Sequence, residues 1–188
     1  MFEDFRTKDS VVLVYTGEGK GKTTASLGLM ARALGAGWHV AYLQFIKHWQ
    51  VNEDRFIKQI APIYGNHLFF YKGGNGFYKA GDLSAKNVTE KQHKNVAQVT
   101  LHKALEASSN GKYDLVICDE INNALHAGLI TKKQMTALIK DRNPKTSLCL
   151  TGRDFPPSLL KSIDIASNIT KIKHHFDDKF IANNGIDY

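Results

Sequence analysis

Residues 11–15 form a short, continuously apolar and mostly β-branched run that leads without a break into a glycine-rich stretch. That stretch is Thr16, Gly17, Glu18, Gly19, Lys20, Gly21, Lys22, Thr23 and Thr24, and apolar residues at helical spacing (Leu27, Met30, Ala31, Leu34) follow it. A buried strand, a loop rich in glycine and a helix in that order constrain the fold more than any other feature. Glycines let the backbone wrap so that successive N–H groups face one oxygen-rich ligand, and the helix N-terminus adds partial positive charge. Lys22 supplies a point charge for phosphate, and the Thr23 hydroxyl can complete a Mg²⁺ shell. The usual spacing of such loops puts glycine where Thr16 stands, with glycines here at 17, 19 and 21 instead.

The rest of the chain repeats the alternation. Strands are expected at 39–46, 68–71, 113–118, 146–150 and 167–173. Helices are expected at 22–34, at 52–60 (stopping before Pro62), from Thr89 to Ala107, at 122–127, after Thr131 and at 157–163. Thr89 with Gln92, and Thr131 with Gln134, have capping-box spacing. Residues 72–76, with three glycines, read as a flexible segment. Strands without polar alternation belong to a parallel sheet covered on both faces. The expected fold is therefore a single α/β domain over residues 1–188, with residues 1–10 as a flexible N-terminal arm. Ligands of such sheets sit at the carboxyl ends of the strands. A second candidate site, Asp119-Glu120, follows the apolar strand 113–118 and suits Mg²⁺ held against a phosphate loop on a neighbouring strand.

Composition narrows the partners. A hydrophobic fraction of 43% excludes general disorder, and no apolar run is long enough to span a bilayer. No signal peptide is visible, and two cysteines, Cys118 and Cys149, cannot make a disulfide framework, so a cytoplasmic protein is expected. The net charge of +7 points to an anionic partner, but only 5 of the 25 basic residues are Arg. The lysines are scattered, which argues against nucleic-acid binding. The eight histidines show no metal-ligand spacing. His93, His102, His174 and His175 read as surface or partner contacts.

The phosphate-loop segment, Gln44-Phe45-Ile46-Lys47, residues 73–77, residues 113–120, Thr151-Gly152-Arg153 and the ending Gly185-Ile186-Asp187-Tyr188 occur in an order that resembles the ATP:corrinoid adenosyltransferases of the P-loop type. The resemblance spans residues 12–188 and implies a RecA-like P-loop NTPase fold. It also implies transfer of the 5′-deoxyadenosyl group of MgATP to the cobalt(I) of a reduced corrinoid, with release of triphosphate. By that resemblance Lys20, Lys22 and the loop from Thr16 to Thr24 bind the phosphates, with Arg32 and Arg153 near the nucleotide. Thr23 and Glu120 hold Mg²⁺ with Asp119 in support, and Lys22, Thr23 and Glu120 carry the chemistry. Phe77 and Tyr78 lie in the segment that in the family wedges aromatic side chains beneath the corrin.

Two positions depart from the family pattern: Lys79 stands where the family has Trp, and Glu18 where it usually has Asn. A homodimer and a flavodoxin-like reductant are implied as partners, with no membrane. The competing readings are another P-loop enzyme, such as a nucleoside kinase or RecA-like ATPase, and an ATP-gated nucleic-acid-binding module.

Overall fold

The computed structural model describes residues 4–47, 50–76 and 88–188. Its elements alternate as β1 (Val12–Thr16), α1 (Lys22–Gly35), β2 (Val40–Gln44), α2 (Asn52–Tyr64), β3 (Leu68–Lys72), α3 (Glu90–Ser109), β4 (Leu115–Asp119), α4 (Ile121–His126), α5 (Lys132–Lys140), β5 (Ser147–Thr151) and β6 (Ile165–Asn168). Among the described residues six strands form one sheet in the order β3-β2-β4-β5-β1-β6, and every pairing is parallel.

The pleat sends alternate residues to opposite faces, and both faces are covered. On one side Leu13, Val40, Tyr42, Leu115 and Ile117 meet Met30, Ala33 and Leu34 of α1 and Ile57 of α2. On the other, Val14, Leu43, Val116 and Leu150 meet Ala97, Leu101 and Ala104 of α3 and Met135 and Leu138 of α5. Each large side chain so enclosed contributes roughly 1.5–3 kcal/mol of burial. Cys118 and Cys149 belong to opposite faces and are fully buried. Thr89 and Thr131 cap α3 and α5 through the backbone N–H groups of Gln92 and Gln134, as their spacing predicts.

Several local expectations need correction. Helix α2 continues through Pro62 to Tyr64. Pro62 and Lys58 both face solvent, so the Lys58 carbonyl that loses its helical donor can be hydrated. The last strand is Ile165–Asn168, earlier than its own sequence suggests, because its extent is set by β1: Leu13 pairs with Ile165 and Thr16 with Asn168. Residues 157–162 form a 3₁₀ helix. Residues 73–76 are tied down, since Gly73 N–H donates to the Gln44 carbonyl at 2.8 Å and Gly76 N–H to that of Ile46 at 3.1 Å. A side chain at Gly74 would collide with the Ile46 carbonyl, so this glycine serves close approach rather than flexibility. His93 is buried on α3, not at the surface, and burial lowers its pKa. In the 1–10 segment, Lys8 pairs with Asp164 and Ser10 Oγ donates to the Pro144 carbonyl at 2.6 Å, which holds those two residues to the domain.

Candidate active site

All six parallel strands end their carboxyl termini on the side where α1 begins, and a cleft of about 1260 Å³ opens there. Its lining runs from Glu18 through Thr24 along the loop, and includes Lys47, Glu53, Glu120, Thr151 and Arg153.

The loop is shaped by protein contacts as much as by any ligand. Gly17 has a φ of +100°, and a Cβ there would strike the Asn168 side chain and the Ile169 carbonyl, so only glycine fits. Gly19 N–H donates to the Ile169 carbonyl at 2.7 Å, so this amide faces the residue just after β6 and not an incoming phosphate. Lys22 Nζ donates to the Gly17 and Gly19 carbonyls, each at 2.6 Å. That fixes the ammonium at the centre of the loop with one of its three N–H donors uncommitted. Burial, and then the nearby Arg153 guanidinium, lower the Lys22 pKa.

Strand β5 lies between β1 and β4, so the phosphate loop and Asp119 are not on neighbouring strands as the sequence suggests. Two hydroxyls bridge the gap. Thr23 Oγ1, in the first turn of α1, donates to the Asp119 carboxylate at 3.1 and 3.2 Å. From β5, Thr151 Oγ1 donates to Asp119 Oδ1 at 2.6 Å and accepts from Glu120 N–H at 2.9 Å. Glu120 is held with a φ of 62°, a left-handed conformation uncommon for a residue with a side chain. Its Oε2 is closed off from solvent and has no hydrogen-bond partner. Burial, with the Asp119 charge second, pushes the Glu120 pKa up to about 7.

Among the described residues no group of three or more His, Cys, Asp or Glu converges to hold a metal alone. Thr23, Asp119 and the unpartnered Glu120 oxygen offer a hard, oxygen-only donor set. That set suits a cation which takes one or two protein ligands and completes its shell with phosphate and water.

The other expected residues fall in different places. Thr24 lines the cleft with Lys20 and Lys22. Glu18 turns outward and pairs with Arg153 Nη1 at 3.0 Å across the cleft mouth, an exposed contact worth at most about 1 kcal/mol. Thr16 Oγ1 accepts from Phe155 N–H at 3.2 Å, and Thr16 and Gly17 line a separate shallow depression with Asn168 and Thr170. Arg32 is exposed in the last turn of α1 and is not among the residues lining the cleft. Phe77, Tyr78 and Lys79 lie outside the described residues.

The structure also adds residues that sequence reasoning did not assign. Lys47, just beyond β2, places Nζ 2.8 Å from Glu53 Oε1, 3.3 Å from Thr23 Oγ1 and 3.9 Å from Asp119 Oδ2. Burial alone would lower its pKa, but the Asp119, Glu120 and Glu53 carboxylates outweigh that and hold it above its ordinary value. Its place at a strand end was the available signal. Asp187 pairs with Lys20 at 2.6 Å, and His174 and His175 lie beside the same carboxylate, at 4.0 and 3.5 Å. His174 is thus part of the cleft's outer wall, and His175 is held beside it by Asp187. Asn52 Nδ2 donates to the Tyr188 carbonyl at 2.6 Å, which ties the 183–188 segment to α2 as well.

The family model of the ATP:corrinoid adenosyltransferases BtuR/CobO/CobP matches residues 8–188. A corrinoid adenosyltransferase from a Sinorhizobium species is 30% identical over 95% of this chain and 80% of its own length. One from Pseudomonas aeruginosa is 27% identical over 97% of this chain and 86% of its own. Among solved structures, the flagellar accessory protein FlaH from Methanocaldococcus jannaschii aligns with a TM-score of 0.55. That alignment covers 86% of this chain and 71% of that one at 15% identity, a likeness of fold alone. A match that takes in the phosphate loop, the Asp119-Glu120 strand end and the 183–188 segment together settles the family: the chain belongs to the ATP:corrinoid adenosyltransferases.

Proposed function

We propose that the cleft binds ATP with Mg²⁺, and that the enzyme transfers the 5′-deoxyadenosyl group of ATP to the cobalt(I) of a reduced corrinoid. The observation that carries this reading is the convergence of Lys22, Thr23, Asp119 and the unpartnered Glu120 Oε2 at the strand ends. Such a set serves a polyphosphate and its cation.

In this reaction the cobalt–carbon bond forms as the C5′–oxygen bond breaks, and the electron pair of that bond leaves with triphosphate. Cobalt(I) supplies both electrons of the new bond and becomes formally cobalt(III). The chain's tasks are then to hold C5′ in line with the metal and to stabilise the charge gathering on the leaving oxygen. Lys20, Lys22 and the free loop amides bind the phosphates. Thr23 and Glu120, with Asp119 behind them, hold Mg²⁺, which neutralises phosphate charge when bound. Arg153 closes the mouth of the cleft over the nucleotide.

Phe77 and Tyr78 are proposed as the corrinoid's aromatic support; an unpaired ammonium is costly against an apolar face, so Lys79 is no part of that support. A four-coordinate cobalt(II) spectrum on mixing the protein with MgATP and a cobalt(II) corrinoid is the expected sign of that support. By family resemblance the working unit is a cytoplasmic homodimer that receives electrons from a flavodoxin-like reductant.

Anaerobic incubation with MgATP and a chemically reduced corrinoid tests the central reading. Loss of the cobalt(I) absorbance with one triphosphate released per cobalt is expected. Formation of ADP without an adenosylated product overturns it, and is what a kinase or a hydrolytic ATPase would give.

A further inference from the structure

The cleft has cations on two walls. Lys20 and Lys22 belong to the loop. Lys47 reaches in from the opposite side, beyond the end of β2, where the β2–β4 pairing sets Gln44 beside Asp119. Its side chain is only 16% exposed, and that of its partner Glu53 only 12%. Removing an ammonium from water costs several kcal/mol unless it is closely paired. The pairing with Glu53 at 2.8 Å offsets that cost, yet it uses only one of three N–H donors. A second donor reaches Thr23 Oγ1 at 3.3 Å, the hydroxyl that also meets Asp119.

A lysine needed only to pin α2 against β2 would be satisfied by Glu53. This one is aimed past Glu53 at Thr23, where the loop passes into α1. The stem is enclosed, so the ammonium is presented rather than swinging in solvent. Both residues of the pair line the cleft beside Thr23 and Glu120.

We propose that Lys47 is a second-wall contact for the triphosphate, gripping it from the side opposite Lys20 and Lys22, and that Glu53 is its positioning residue. The inference rests on the reading of the cleft as a triphosphate site. In it the leaving triphosphate is clamped between two walls as its charge grows. Glu53 sets the ammonium's direction without touching phosphate. The adenosine end of the nucleotide makes no contact with either residue.

Calorimetric titration tests this without any corrinoid. The proteins are the wild type, K47M (which keeps the apolar stem), K47R and E53Q, each first checked for an unchanged melting temperature. The ligands are inorganic triphosphate with Mg²⁺, MgATP and AMP. A lost charge-assisted contact predicts about tenfold weaker binding of triphosphate and ATP in K47M, with AMP within about twofold of wild type. K47R should recover most of the loss, and E53Q should show the same pattern at about threefold. Equal weakening of all three ligands, or no change in K47M, overturns the assignment. Failure of the wild type to bind triphosphate at all sinks the underlying reading of the cleft as well, and is recognisable as a separate result. If K47M folds poorly, E53Q alone decides, because loss of triphosphate selectivity there requires an oriented ammonium.

Discussion

Thr151 holds Asp119 in place from the strand between the two halves of the site: its hydroxyl donates to Asp119 Oδ1 at 2.6 Å while accepting the Glu120 N–H. Both residues are fully buried. Replacing Thr151 by Val keeps the shape and removes both bonds, leaving the Glu120 N–H and one carboxylate lone pair unsatisfied. A loss of about 1–3 kcal/mol in stability is expected by urea denaturation, together with weaker Mg²⁺-dependent nucleotide binding. Ser at the same position should restore most of both. A Val variant as stable as wild type would show that the bridge is incidental.

Glu120 makes the stability of the protein depend on pH in a particular direction. Its pKa rises from an ordinary 4.5 to about 7 in the folded chain, chiefly through burial. The folded state therefore holds the proton more tightly than the unfolded one, and stability falls as pH climbs from about 4.5 to about 7, then levels. E120Q should lack that decline, so at pH 8 it is the more stable protein, by a margin of order 1 kcal/mol. Nucleotide with Mg²⁺ should bind wild type more tightly as pH rises toward 7, releasing a proton, and E120Q weakly at every pH. Denaturation at pH 5 and pH 8, with calorimetry in two buffers of different ionisation enthalpy, checks both halves.

The phosphate loop and the strands carrying it were legible because their signals are local. An apolar run of five residues, a glycine cluster and two Thr-x-x-Gln caps each depend only on near neighbours. What could not be read is what strand order creates. Nothing near Thr151 in the sequence says that β5 lies between β1 and β4, so its bridge to Asp119 across 32 positions is invisible beforehand. The extent of β6 is set by β1, and the close approach at Gly74 by the Ile46 carbonyl. Lys47 stood at a strand end already marked for attention, yet its role depends on Glu53 and Thr23 arriving from two other elements. The pairing of Lys20 with Asp187, 167 residues apart, has no local trace at all.

Lys22 is fixed by two loop carbonyls before any ligand is considered. K22M removes the cation that the proposed function sets against the leaving triphosphate, while leaving the fold largely intact, since its residue is only half-buried. The expected cost is about 10²-fold or more in kcat, the scale seen when one donor to a developing anion is lost. Arg should rescue poorly, because a planar fork cannot reproduce a point charge between the Gly17 and Gly19 carbonyls. A KM increase with unchanged kcat would instead assign Lys22 to ground-state binding alone.

Asp187 brings a negative charge to a loop built for phosphate. Its carboxylate accepts from Lys20 at 2.6 Å and from the Asn183 N–H at 2.7 Å. These contacts, the Lys20 bond foremost, lower its pKa to about 2. The group is thus ionised throughout the neutral range, and its hold on Lys20 is lost only as pH falls from about 4 through about 2. Under the proposed function it competes at working pH with triphosphate for the same ammonium. D187N should therefore tighten ATP and triphosphate binding, by no more than about fivefold for an exposed lysine partner. The 183–188 segment should at the same time become more open to limited proteolysis, since one of its anchors is gone. In a K20A background the same substitution should have no effect on affinity, which a double-mutant cycle by calorimetry measures directly. Weaker ATP binding in D187N would reverse the argument, and would mean that the segment shapes the cleft for its substrate instead of contesting its lysine.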